Sequence, residues 1–161
     1  MPTWNHLHPA LVHFPIALLL VAPLLVVAGL AWPAQRRGLH TAALILLGLG
    51  FAGLVLALLS GEAVTRYARA TADLQASVRD HELAAQWTTL LFAGICPAFA
   101  VLWALPLLRK RPLARALDLG LMALWLLLAT AGALALARTA HAGGHLVHDL
   151  HTHAAPEPRV E

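Results

Sequence analysis

Four long apolar stretches separated by short polar segments dominate the pattern of hydrophobic and polar positions along the chain. They cover about residues 11–30, 39–59, 87–108 and 119–137. Each stretch is close to the roughly 20 apolar residues that a helix needs to cross a bilayer. The pattern predicts an all-α integral membrane protein, in which residues 1–150 form an antiparallel four-helix bundle and residues 151–161 a flexible outer tail.

The pattern changes in the segment 61–82, between the second and third stretches. Uncharged positions recur there at helical spacing, at Val64, Tyr67, Thr71, Leu74 and Val78. Charged residues occupy the rest of the circumference, so the segment is expected to form a short amphipathic helix on the membrane surface. Three residues after Val78 the same stripe reaches His81, which is therefore expected to point at the bundle.

The composition agrees with lipid as the surrounding solvent. The chain is 60% hydrophobic and 12% charged, with a mean hydropathy of +0.72, which is too apolar for a soluble domain of this size. The basic pI does not indicate a nucleic-acid partner, because the basic residues form no patch with interleaved aromatics. The predicted environment is a bilayer, and a homo- or hetero-oligomer stays open.

Basic residues predict the orientation of the helices. Six of the eleven Lys and Arg residues lie in the two short links after the first and third stretches, at Arg36, Arg37, Arg109, Lys110, Arg111 and Arg115. Links rich in Lys and Arg stay in the cytoplasm. Both chain termini are therefore expected on the outer side.

This orientation gathers nine of the ten histidines at the outer face, namely His6, His8, His13, His81, His141, His145, His148, His151 and His153. His40 is the exception and is expected at the cytoplasmic interface. The outer histidines come from three helix ends that lie at the same depth in an antiparallel bundle, where they can converge. His13 lies within its apolar stretch, and an ionisable residue there is a functional hypothesis.

Histidine is the commonest metal ligand and an axial ligand of haem. The candidate cofactor ligands are His13, His81, His148, His145, His8 and His141, and a metal ion would be held by His13, His81, His145 and His148. Three of these, His141, His145 and His148, would share one helix face if the fourth helix continues through Gly143 and Gly144. The sequence alone leaves that continuity open.

Further residues complete the candidate site. Glu62 is placed to hydrogen-bond the second ring nitrogen of a ligating histidine, and Arg66, Arg79 and Arg138 are candidate cations for haem propionates. The lone Cys96 excludes covalent haem attachment through a Cys-x-x-Cys-His motif. No serine or cysteine lies beside a base, so the chain is more readily an electron carrier or a binding protein than an independent enzyme.

The segment from His8 to Leu18, HPALVHFPIAL, resembles the start of a bacterial membrane family catalogued as domain of unknown function 2231. The likeness continues in the segment SGEA at 60–63, in His81, and in GGHLV at 143–147. At 148 and 150, where the family usually has tyrosine and histidine, this chain has His148 and Leu150. The resemblance implies a four-helix membrane domain associated with c-type cytochrome modules and supplies no settled activity. For a bacterial protein, the orientation predicted from the basic residues places the chain in the inner membrane with both termini periplasmic.

The sequence is compatible with three functions. The first is a haem b protein that transfers electrons at the periplasmic face, with a c-type cytochrome or quinone as partner. The second is a membrane protein that binds or transports a transition metal such as Zn or Cu through the same histidines. The third is an accessory subunit of a respiratory complex, whose histidines only pack and hydrogen-bond.

Overall fold

The computed structural model describes the backbone of residues 4–65 and 72–148, and the side chains of residues 12–61 and 74–146. Helix α1 runs from Trp4 to Ala31, α2 from Arg36 to Thr65, α3 from Ala72 to Arg109 and α4 from Arg115 to His148. A 3₁₀ turn, Pro33–Gln35, links α1 to α2. The described residues contain no strand, so the prediction of an all-helical chain is confirmed.

Each helix contains a segment long and apolar enough to cross a membrane. These segments are Val12–Ala31, Pro33–Gly61, Leu74–Arg109 and Arg115–Leu146. The prediction of four spans is therefore confirmed. Large aliphatic side chains such as Leu127 and Leu134 point away from the protein interior, as expected when the surrounding solvent is lipid.

Helices α3 and α4 are longer than the predicted stretches within them. At 1.5 Å per residue, the 38 residues of α3 and the 34 of α4 extend about 57 and 51 Å, well beyond the roughly 30 Å hydrocarbon core. The extra length lies at the start of α3 and at the end of α4. Helix α4 continues without a break through Gly143 and Gly144 to His148, which answers the question that the sequence left open.

The separate surface helix expected over 61–82 is not confirmed. Residues 61–65 are the last turn of α2 and residues 72–82 are the first turns of α3, while residues 66–71 lie outside the described residues. Within α3, however, the expected stripe is visible in the burial pattern. Leu74, Val78 and His81 are half-buried, whereas Arg79 and Asp80 are exposed.

The helices contact one another in the cyclic order α1, α2, α3, α4 and back to α1, and the α1–α2 contact is the most extensive. Over the described ranges, α1 and α3 make no close backbone approach, and neither do α2 and α4. Aromatic side chains fill the centre. The rings of Phe99 and Trp125 lie 4.6 Å apart, and the indole nitrogen of Trp125 donates to the carbonyl oxygen of Ile95 at 2.9 Å. That bond satisfies the one polar atom of a buried tryptophan.

A bidentate ion pair joins the first turn of α2 to the first turn of α4. The two terminal nitrogens of Arg36 donate to the two carboxylate oxygens of Asp118 at 2.7 and 3.0 Å. Both side chains are partly buried, so water screens the pair less than it screens a fully exposed one. The pair therefore couples two helices whose backbones do not meet.

Replacing Asp118 with asparagine should lower the free energy of unfolding by about 1 to 2 kcal/mol, because Arg36 loses its charged acceptor. The thermal unfolding midpoint of the purified protein in detergent measures this loss. The exchanged pair Arg36→Asp/Asp118→Arg should recover part of it. An unchanged midpoint for Asp118→Asn would contradict a stabilising role.

Candidate functional site

His81 lies in the third turn of α3 and faces α4. Its Nδ1 is 3.1 Å from the carbonyl oxygen of Thr139. Because a carbonyl oxygen only accepts hydrogen bonds, Nδ1 carries the hydrogen and donates it. In the neutral ring, Nε2 then holds the lone pair. This is the tautomer that a histidine adopts when Nε2 binds a metal and a backbone carbonyl orients the ring.

Gly143 provides the space that the His81 ring occupies. A Cβ atom built on Gly143 would lie 3.0 Å from Cε1 of His81 and 3.4 Å from its Nδ1. That separation is too short for ordinary packing, so a side chain at this position would displace the ring. The neighbouring Gly144 has no atom within 4 Å of a built Cβ. The two glycines are therefore not equivalent, because a side chain at Gly143, unlike one at Gly144, would meet the ring of His81.

Two threonine hydroxyls connect α3 and α4 about two turns further along α3 from His81. The Oγ1 atoms of Thr88 and Thr139 are 2.8 Å apart, and Thr139 Oγ1 donates to the carbonyl oxygen of Ala135 at 3.0 Å. Since the single hydrogen of Thr139 is used in that bond, Thr88 is the donor between the two hydroxyls. Thr88 is 1% exposed and Thr139 9% exposed. A buried hydrogen bond between side chains thus joins α3 to α4 close to His81.

The α4 histidines do not share the face that receives His81. His141 and His145 each lie two residues past a contact residue, Thr139 and Gly143 respectively, which is about 200° around the helix. Both are exposed. His148 follows on the same helix, but its side chain lies outside the described residues. The described contacts of His81 with α4 are those with Thr139 and Gly143.

The remaining predicted ligands are on α1. His13 is exposed near the N-terminal end of α1, and over the described ranges this helix makes no close backbone approach to α3. His8 lies in the same helix, and its side chain is outside the described residues. Among the side chains that are described, no three histidine, cysteine, aspartate or glutamate residues are close enough to hold a metal ion together.

The predicted supporting residues are dispersed. Arg79 is exposed two residues before His81, and Arg138 is exposed one residue before Thr139. Glu62 belongs to α2, but its side chain lies outside the described residues, as does the whole of Arg66. Of the four supporting residues, Arg79 and Arg138 are thus close in sequence to His81 and Thr139, and both are exposed.

The comparison with known proteins identifies the family. A family model described as "Predicted membrane protein (DUF2231)" matches residues 5–156, nearly the whole chain. The chain belongs to this family. The resemblance inferred from its motifs is therefore confirmed. No curated protein and no solved structure matches the chain.

One buried residue of this DUF2231 member was missed by the sequence interpretation, which placed His40 at the cytoplasmic interface. His40 is only 4% exposed, its Nε2 lies 3.3 Å from the carbonyl oxygen of Val26, and its ring meets Phe99 edge-on at 5.8 Å. Gly29 of α1 leaves the space for it, since a Cβ there would lie 2.6 Å from His40 Cδ2. The signal available in the sequence was Gly29 itself, a small residue two positions before the end of α1.

Proposed function

We propose that the protein binds haem b at the periplasmic face of the bacterial inner membrane and transfers electrons there, with His81 as an axial ligand. The observation that carries the proposal is the hydrogen bond from His81 Nδ1 to Thr139 O at 3.1 Å. It orients a half-buried imidazole and leaves the Nε2 lone pair for a metal. The bound haem would supply one-electron redox chemistry.

The donor chemistry at His81 fits haem iron. Imidazole is an axial ligand of haem, and a backbone carbonyl on the second nitrogen raises the basicity of the ligating one. The Thr88–Thr139 hydroxyl pair keeps α3 and α4 in register next to the ring. A ligand held this firmly needs little reorganisation when the iron changes its oxidation state.

The second axial ligand is proposed to be His13 on α1. Cofactor sites in helical bundles are built from side chains on facing helices. Axial ligands of one haem lie on opposite faces of the ring, so α1 and α3 need not touch. The proposal therefore includes an antiparallel four-helix bundle, in which these two helices are diagonal partners.

The proposed orientation has both termini in the periplasm. It is supported by the basic residues at the opposite end of the helices, where Arg37, Arg109 and Arg115 are exposed. Electron transfer would stay on the outer side, because the inner end offers only His40, which is already buried against Val26 and Phe99. A c-type cytochrome or a quinone is the proposed redox partner.

Absorption spectra of the detergent-purified full chain, expressed with ample haem, test this function. We expect a Soret band and, after reduction with dithionite, the narrow α band of a six-coordinate haem b. Elemental analysis of the same sample should give about one iron per chain. A preparation that is folded by circular dichroism but has no Soret band after haem addition would overturn the proposal.

A further inference from the structure

The outer end of α4 presents a second pair of histidines that the His81 site does not use. His141 and His145 are exposed, and the helix that carries them is continuous from Arg115 to His148. The membrane-capable segment of α4 runs to Leu146, but the helix is about 51 Å long, well beyond the roughly 30 Å hydrocarbon core. In the proposed orientation, its C-terminal end therefore extends to the outer interface. His141 and His145 are accessible there to ions from the outer aqueous phase.

We infer that His141 and His145 form a binding site for a divalent first-row transition ion, separate from His81. Residues four apart on a helix have Cβ atoms about 5–6 Å apart on one face. Two histidines at this spacing bind one zinc ion in metalloproteases with a His-Glu-x-x-His helix. Neutral imidazole suits Zn²⁺, Cu²⁺ and Ni²⁺, with Cu²⁺ bound most strongly.

The continuity of α4 favours binding of one ion by both His141 and His145. Because α4 fixes the spacing before the ion arrives, the second imidazole binds at a high effective concentration. A break at Gly143 or Gly144 would have removed this advantage. Water completes the coordination of the ion.

Charge near the pair modulates the affinity without supplying a ligand. Arg138 lies three residues before His141 and is exposed on an adjacent part of the helix. Its guanidinium repels a divalent ion, so Arg138→Gln should tighten metal binding by a few fold. The ion site is proposed separately from the haem site, because the hydrogen bond that orients His81 is made by Thr139 and the ring lies against Gly143.

Titration of the purified full chain in detergent with Cu²⁺ alone, and separately with Zn²⁺ alone, tests the site. We expect one strong equivalent, with nitrogen hyperfine structure from imidazole in the Cu²⁺ electron paramagnetic resonance spectrum. His141→Ala or His145→Ala should weaken binding about 10- to 100-fold, since each removes one of two tethered donors. His81→Ala should leave the affinity for Cu²⁺ unchanged.

A matched control keeps the number of histidines and changes only their spacing. The double variant His141→Ala/Ala140→His separates the pair by five residues, or about 140° around the helix, and should bind as weakly as His141→Ala. Binding of wild-type strength in this variant would overturn the inference and assign the metal to the histidine-rich tail. Absence of a strong equivalent in the wild-type chain would overturn it as well.

Discussion

Replacement of His81 with alanine should abolish haem binding and reduce the Soret absorbance per chain to the background. Groups that only orient a metal ligand typically contribute 10- to 100-fold to affinity, so loss of a ligand itself should cost at least about 100-fold. Thr88 and Thr139 continue to join α3 to α4 in the variant. The protein should therefore remain folded, which circular dichroism and gel filtration in detergent can check.

Two further variants separate ligation by His81 from a general disturbance of the contact between α3 and α4. Gly143→Ala adds a methyl group 3.0 Å from Cε1 of His81 and should shift the Soret maximum or lower the haem occupancy partially. His141→Ala alters the exposed face of the same helix and should leave the spectrum unchanged. If His81→Ala retains a normal Soret band, another histidine holds the iron and the proposed role of His81 is wrong.

The substitution Gly29→Ala should produce the largest loss of stability among single methyl additions near the link between α1 and α2. The added Cβ would lie 2.6 Å from Cδ2 and 2.7 Å from Nε2 of the buried His40. The imidazole packs against Phe99 and hydrogen-bonds Val26, so it cannot move away freely. Overpacking of this kind costs about 1 to 3 kcal/mol. The thermal unfolding midpoint in detergent should fall accordingly.

The chain offers a matched control and a rescue for this experiment. Gly48 lies in α2, and a Cβ built on it meets no atom within 4 Å. Gly48→Ala should therefore leave the stability unchanged or raise it slightly, because alanine favours helix over glycine by up to about 1 kcal/mol. The double variant Gly29→Ala/His40→Ala should be no less stable than His40→Ala alone. Equal midpoints for Gly29→Ala and Gly48→Ala would show that the α1–α2 contact can relax.

Much of the His81 environment was accessible from local periodicity. The apolar stripe through Leu74 and Val78 leads to His81 in register, and the structure half-buries all three. Periodicity reports which side of a helix is turned inward, because the residues of that side repeat every 3.6 positions. It does not report what the inward side meets. The partners of His81, a carbonyl oxygen and a glycine nearly 60 positions away, depend on how α3 and α4 align.

The positions of His141 and His145 around α4 could not be predicted from the sequence. The sequence predicted that they converge with His81, because the helix ends that carry them are expected at the same depth. Equal depth does not decide on which side of a helix a residue lies. The contact of Thr139 and Gly143 with His81 leaves His141 and His145 exposed on another side of α4.

The four membrane-capable helices and the family follow from the amino-acid sequence by itself, and the gathering of histidines at one membrane face is a prediction from it. Run length decides whether a helix can cross a bilayer, and the distribution of Lys and Arg predicts which links stay inside; both are additive properties of local segments. Tertiary structure alone decided that His81 is oriented by Thr139, that His40 is buried against Gly29, and that His141 and His145 are exposed. These outcomes depend on the rotation of each helix about its axis, which close contacts between distant positions determine.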